Sequence, residues 1–334
     1  MKNLFLYTVL FFLPLAILTS SFTGKNETPL PQDFSDNFET EQLIQYLESN
    51  GNFINSTASG AIISADEVKK NLKNEKYHLI DIRTDTWFAY GHIKGANNVL
   101  APDLLDYFQN KINPSDFDKV ILICYSGQSA AFYTSYLRLA GYGNVYSMKW
   151  GMSSWRQDFA ENSWLKNISD DHVSDLETTA NNKPAKGSLP IISTGKSSPE
   201  EILKERLQVA FEKPYKDFAV TAADVFANPQ QYFILNYSSA KNYELGHIKG
   251  AVQYEPFGSL STATELTTLP TDKKIVVYDE NGQTAAAVAA YLNIIGYDAA
   301  NLAYGSNGFM NKEMSKKGLD AFTAKEINMF PVVE

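Results

Sequence analysis

Cys124 is the only cysteine among 334 residues, and it stands where a thiol could do chemistry. Before it, Val120-Ile-Leu-Ile123 reads as a short buried strand. After it comes a polar turn, Tyr125-Ser126-Gly127-Gln128-Ser129, and then apolar positions at helical spacing from Ala130 through Leu139 to a stop at Gly141. Strand, tight loop and helix in that order place the thiol at the carboxyl end of a strand, where open α/β sheets bind ligands. Backbone amides from Tyr125 to Ala130 would then face the sulfur. Together with the helix start they favour the thiolate and lower the thiol pKa from about 8.5. Gly127 with positive φ would let this loop fold into a concave cradle for an anion. The Ser126 and Ser129 hydroxyls would add hydrogen bonds or merely cap the surface, and Tyr125 would line the mouth or face solvent. The competing reading is a structural cysteine at the end of a core strand, since free Cys is among the most buried residue types.

Other chemistries are poorly supplied. Four histidines and one cysteine give no clustered ligand set, so neither a metal nor a cofactor is expected. A net charge of −9 with no basic cluster argues against nucleic acid. A composition of 44% hydrophobic and 20% charged residues is globular, and the length allows two domains. At the amino terminus, Met1-Lys2-Asn3, an apolar run from Leu4 to Leu18 and the small set Thr19-Ser20-Ser21 read as a signal peptide over residues 1–24. The run is short for a membrane span and contains Pro14, so no stable membrane insertion is expected after cleavage. Export to the periplasm or the extracellular space follows; an uncleaved signal acting as an anchor is the alternative. In such an oxidising space a lone thiol is either protected by burial or used.

The elements that must position Cys124 come in alternation. Residues 25–60 form a spacer and a helix over Phe38–Leu47 that stops at Asn50-Gly51. The first domain, 61–164, opens with the capping box Ser64-Ala-Asp-Glu67, predicting a helix over Ala65–Leu72. A strand Tyr77–Arg83 carries Asp81 and Arg83, then a turn Gly91–Ala96, a helical region Asp103–Lys111, the Cys124 unit, a strand Asn144–Met148 and a helix Ser153–Phe159. Residues 165–197 turn polar and Pro/Gly/Ser-rich, an interdomain linker. Ser198-Pro-Glu-Glu201 then opens the second domain, 198–334. Strands alternating with helices predict parallel sheets with helices on both faces.

The second domain repeats the first. Gly246-His-Ile-Lys-Gly-Ala251 duplicates Gly91-His-Ile-Lys-Gly-Ala96 letter for letter, 155 positions later. The same offset matches Gly282-Gln283 to Gly127-Gln128, Thr284 to Ser129 and Gly296-Tyr297 to Gly141-Tyr142, and Tyr304-Gly305 matches Trp150-Gly151 after a one-residue slip. It brings Cys124 onto Asp279. A carboxylate in a ring of backbone donors would fill the site with its own charge, so the second copy is expected to be catalytically silent. His92 recurs as His247 in that silent copy, which marks it as structural.

The chain resembles the rhodanese family of sulfurtransferases in a tandem, two-domain arrangement. Asp81-Ile-Arg83, Gly91-His-Ile-Lys-Gly-Ala96, Cys124-Tyr-Ser-Gly-Gln-Ser129 and Trp150-Gly151 with Trp155 carry the resemblance, over about residues 61–160 and again 217–312. It implies two five-stranded parallel sheets flanked by helices. It also implies a cysteine that takes a sulfane sulfur from a small anionic donor, holds it as a persulfide, and passes it to cyanide or an external thiol. Tyr125 stands where many active members have arginine, Met152 where a second glycine is usual, and Thr86-Trp87 where a glutamate region is usual. Asn236 and Ser238 replace the Asp81 and Arg83 pair in the second copy.

On the residues alone Arg83 could steer anions, but a structural Asp81–Arg83 network is the better reading. With no second cysteine to resolve a persulfide, the acceptor must come from outside. A phosphatase or arsenate reductase of similar fold would need an arginine closing a longer loop, and Ala130 stands there. An exported, non-catalytic binding module is the remaining alternative.

Overall fold

A computed structural model describes residues 37–334; the predicted signal peptide and the spacer before Asn37 lie outside the described residues. In the first half, β1 (Ile62–Ile63), β2 (Tyr77–Asp81), β3 (Asn97–Asn98), β4 (Lys119–Ile123) and β5 (Val145–Met148) form one parallel sheet in the order β1-β5-β4-β2-β3. β4 is central because Val120–Ile123 is apolar on both faces, and all four residues are fully buried. Asp81 pairs with Ile123, so the second strand delivers its carboxylate one residue from Cys124.

The helices begin where local chemistry starts them. α1 spans Phe38–Ser49, and α2 (Ala65–Lys70) opens with the Glu67 amide donating to Ser64 Oγ at 3.1 Å. α3 (Asp85–Tyr90), α4 (Leu104–Asp106), α5 (Gln128–Leu139), α6 (Gln157–Asn162) and α7 (Trp164–Asn167) follow. Two predicted helices are broken. The stretch 103–111 is one α-turn, α4, continued by a π-turn over Tyr107–Lys111. The helix predicted over Ser153–Phe159 is instead a 3₁₀ turn (Gly151–Ser154), an extended Arg156 and then α6. The Met152 and Ser153 amides are drawn off to the carbonyls of Cys124 (2.8 Å) and Tyr125 (3.2 Å), so the turn serves the cysteine loop.

The second half repeats this plan. α8 (Pro199–Phe211) leads into β7 (Ala219–Val220), α9 (Ala222–Ala227), β8 (Tyr232–Asn236) and α10 (Ala240–Glu244). β10 (Val252–Gln253), β11 (Lys274–Tyr278), α11 (Gln283–Ile294), β12 (Ala299–Leu302) and α12 (Asn307–Lys317) complete it. The sheet order is β10-β8-β11-β12-β7, again parallel. β2 and β8, β4 and β11, and α5 and α11 lie 155 residues apart at both ends.

The two halves share one core. α5 packs against α11, and ten of its twelve residues are buried. A helix covered by its own sheet on one side and by a neighbour on the other has no solvent stripe to show. Alanines 285, 286, 289 and 290 keep α11 slim enough for close approach, and Ser135 Oγ donates to the Ala287 carbonyl at 3.0 Å inside the contact. Segments outside the sheets then strap the halves together. The duplicated hexapeptide offers an edge in both: His92 exchanges backbone hydrogen bonds with Val333 of the carboxyl-terminal tail, and β9 (His247–Ile248) pairs antiparallel with β6 (Leu176–Glu177) of the linker. Phe330 N–H donates to the Trp155 carbonyl and Trp155 Nε1 to the Pro331 carbonyl, at 2.8 and 2.9 Å.

Candidate active site

Cys124 sits one residue beyond β4, and its side chain is only 1% exposed. Gly127, at φ +87°, reverses the chain so that its N–H donates to Sγ at 3.1 Å; the Ala130 N–H, in the first turn of α5, donates at 3.4 Å. The nearby Ser129 hydroxyl and Ser126 amide also favour the ionised form of the sulfur. The loop thus turns two of its amides, Gly127 and Ala130, onto one atom. The expected pKa shift is not what results. Burial pushes the Cys124 thiol up, and the bonds from Ser129, Ala130, Ser126 and Gly127 pull against it without winning. The sequence could place donors at the sulfur but not show how completely the second half would cover it.

The other candidate residues divide. Ala130 is buried and contributes its amide. Ser126 is half-buried; its carbonyl accepts from Trp164 Nε1 at 3.0 Å and its hydroxyl from Gln128 Nε2 at 3.2 Å. Gln128 does not line the cradle. Its Oε1 reaches into the second half, accepting from the Tyr304 N–H at 2.7 Å and Asn301 Nδ2 at 3.1 Å. Tyr125 lies against Trp87, ring centroids 5.8 Å apart and nearly perpendicular, its hydroxyl 3.4 Å from the Thr84 amide. Arg83 is fully buried: its guanidinium pairs with Asp81 at 2.6 Å and donates to the Gly91 carbonyl at 2.8 Å. Nε and Nη2 carry these bonds, and Nη1, also buried, is left without a hydrogen-bond partner. His92 is structural, donating through Nδ1 to the Phe88 carbonyl (2.9 Å) with the rings stacked; His247 repeats this with Tyr243.

The second cradle keeps its shape. Gly282, at φ +75°, matches Gly127; its N–H donates to Asp279 Oδ1, and the Thr284 N–H donates to Oδ2 at 3.1 Å. The carboxyl group takes the donors that the thiol takes in the first. Burial first, then the nearby Glu280 charge, push the Asp279 pKa up to about 7 against the pull of the Gly282 and Ala285 amides.

Four further residues shape the cysteine loop. Gly151, at φ +57°, lies so close that a Cβ there would be 2.5 Å from the Cys124 carbonyl oxygen and 2.6 Å from the Gly127 nitrogen. Trp164 holds Ser126, and Tyr304 packs edge-on to Trp164 with centroids 4.9 Å apart. Gln283 reaches back from α11 to Gly127 and Trp150. The signal for Gln283 was present, because it repeats Gln128 at the 155-residue offset. Nothing local in the sequence marked Trp164.

A parallel α/β unit built twice, with an amide cradle after its central strand that holds Cys124 in the first copy and Asp279 in the second, defines a class: tandem α/β domains of one plan. A family model described as "Rhodanese-like domain" matches residues 64–158 and 221–312, more than half of the chain. The chain belongs to the rhodanese-like domain family. Among curated relatives, it is 34% identical over 89 residues to the thiosulfate sulfurtransferase GlpE of Pseudomonas fluorescens (strain SBW25), covering 26% of this chain and 78% of that protein. It is 30% identical over 100 residues to the thiosulfate sulfurtransferase GlpE of Pseudoalteromonas translucida (strain TAC 125), covering 30% and 91%. Among solved structures, a thiosulfate sulfurtransferase from Pseudomonas aeruginosa aligns over 89% of this chain and 48% of that one, with 16% identity and a TM-score of 0.28. Among the described residues, no helix is long and apolar enough to cross a membrane, and no group of three or more metal-ligating side chains occurs.

Proposed function

We propose that the protein is a sulfurtransferase working through a Cys124 persulfide. The observation that carries this reading is the pair of amides, Gly127 and Ala130, aimed at Sγ from 3.1 and 3.4 Å. Donors converging on one sulfur stabilise negative charge there, on the thiolate and then on the persulfide. The thiol first loses its proton. The thiolate then attacks the sulfane sulfur of a donor; the Cys124 S–S bond forms as the donor's own bond to that sulfur breaks, and the leaving group departs with the electron pair. An external nucleophile, a thiol or cyanide, next attacks the terminal sulfur and returns the thiolate to the cradle. With one cysteine in the chain, no internal thiol can take that second role.

The donor reaches the sulfur only after its cover shifts, since the resting thiol is buried and held protonated. A small sulfur-donor anion fits a cradle made of amides. The loop Tyr125–Ala130 itself carries no arginine to clamp a dianion. Export, read from residues 1–24, is part of this proposal and places the acceptor outside the cytoplasm.

A second reading is a non-catalytic rhodanese-like binding module, favoured by the 1% exposure of Cys124. Intact-mass measurement after incubation with thiosulfate, and separately with an organic persulfide, decides between them. Gain of one sulfur atom by the wild type, none by Cys124→Ser, and sulfur release to cyanide or a thiol are expected. A wild type inert to both donors sinks the sulfurtransferase reading and leaves the binding module.

A further inference from the structure

The thiol loop belongs to the first half, yet it is gripped from the second. Gln283, the first residue of α11, is fully buried. Its Oε1 accepts from the Trp150 N–H at 2.8 Å, while Nε2 donates to the carbonyls of Gly127 at 3.3 Å and Met148 at 3.4 Å. One side chain therefore ties the cysteine loop to the turn after β5. Gly127 is the swivel between the peptide whose N–H meets Sγ and the peptide whose carbonyl meets Gln283, and glycine is the residue least able to hold itself still. The fit is close: a Cβ on Gly127 would stand 2.5 Å from Gln283 Nε2.

Gln283 is itself aimed by the empty-handed cradle. Its N–H donates to Asn281 Oδ1 at 2.8 Å, and the Gly282 and Thr284 amides on either side are fixed by the Asp279 carboxyl. That explains a cradle retained without its thiol: the carboxylate replaces the sulfur as the anchor of the helix start. We propose that Gln283 is a positioning residue for the Cys124 cradle, so that the cysteine-less half acts on the chemistry by holding Gly127. This rests on the reading of Cys124 as the reactive thiol.

The test uses the full chain and three variants, Gln283→Leu, Gln283→Glu and Ser135→Ala. Ser135 makes its interdomain bond in the same helix–helix contact but does not touch the loop, so its variant reports general loosening. The readouts are the pH midpoint of Cys124 alkylation by iodoacetamide and the kcat and KM of sulfur transfer. Gln283→Leu is expected to raise the midpoint by roughly one pH unit, and to lower kcat roughly tenfold to a hundredfold with KM little changed. Gln283→Glu keeps an acceptor for Trp150 but sets carboxylate oxygen against the Gly127 and Met148 carbonyls; it is expected to raise the midpoint as well, and it decides the matter should the leucine variant not fold. Ser135→Ala is expected to leave the midpoint unchanged. Wild-type midpoints in both Gln283 variants overturn the proposal, and so does an equal shift in Ser135→Ala. Shifted midpoints in the Gln283 variants, together with a wild type that transfers no sulfur, uphold the positioning role and overturn the sulfurtransferase reading instead.

Discussion

At the scale of residues, two glycines decide whether the cradle exists, and they differ in what presses on them. Gly127 faces the end of a side chain, Gln283, which can withdraw at the loss of its hydrogen bonds. Gly151 faces backbone on three sides, with the Cys124 carbonyl and the Gly127 and Ser126 nitrogens within 2.8 Å of a Cβ. Backbone in the loop cannot move without moving the sulfur. Gly127→Ala is therefore expected to cost about 1–3 kcal/mol, from the positive φ and the displaced glutamine, and Gly151→Ala more. Urea denaturation of both variants checks the order. Equal stability of Gly151→Ala and wild type would mean that the loop tolerates displacement, and the close packing described for it would be wrong.

At the scale of elements, the start of α11 holds a charge problem that pH can expose. Asp279 is buried with its pKa pushed up to about 7, by burial and by Glu280, with Asp320 adding to the rise. In the unfolded chain an aspartate titrates near 4. Between about pH 4 and pH 7 the folded state thus keeps a proton that the unfolded state has released. Stability from this group is full below pH 4 and falls as pH rises through that window, by about 1.4 kcal/mol per unit. Asp279→Asn removes the titration, whatever constant offset it introduces. Relative to wild type, the variant should gain stability as pH rises from about 4 to about 7, the difference levelling off above that. A difference that stays flat across that range would show the carboxylate ionised in the fold, with its amide partners outweighing burial. The matching helix of the first half, α5, shows how pattern reading can succeed on position and miss on surroundings. α5 ends at Leu139 as its pattern predicts and starts two residues before Ala130, but Gln128, Thr134, Ser135 and Tyr136 are all buried, Gln128 and Ser135 by hydrogen bonds to the other half.

At the scale of the molecule, the first half does not complete itself. The tail from Asn328 to Val333 returns after the whole second half to cover Trp155 and to pair with His92. Gly91 lies under it, with a Cβ there only 2.9 Å from Val332 Cγ2. Removing residues 328–334 uncovers Trp155 and Phe330's packing site and leaves the Trp155 carbonyl and indole N–H without their partners. About 2–4 kcal/mol of stability should be lost, read as a lower urea midpoint. An unchanged midpoint would show the tail to be ornamental to the fold.

Much of this was legible in the chain. The capping residues Ser64 and Ser198, the apolar run before Cys124 and the 155-residue repeat act locally or by self-similarity, and they fixed the fold class, the duplicated plan and the atom at its centre. Partnerships between residues far apart in sequence were not legible: Gln283 on Gly127, Trp164 on Ser126, the tail on Trp155. The ionisation of Cys124 depends on them, because donor amides are set by the turn whereas desolvation is set by everything that packs over it. A loop sequence can specify which way its N–H groups point, but only the assembled chain determines how much water is left beside the sulfur.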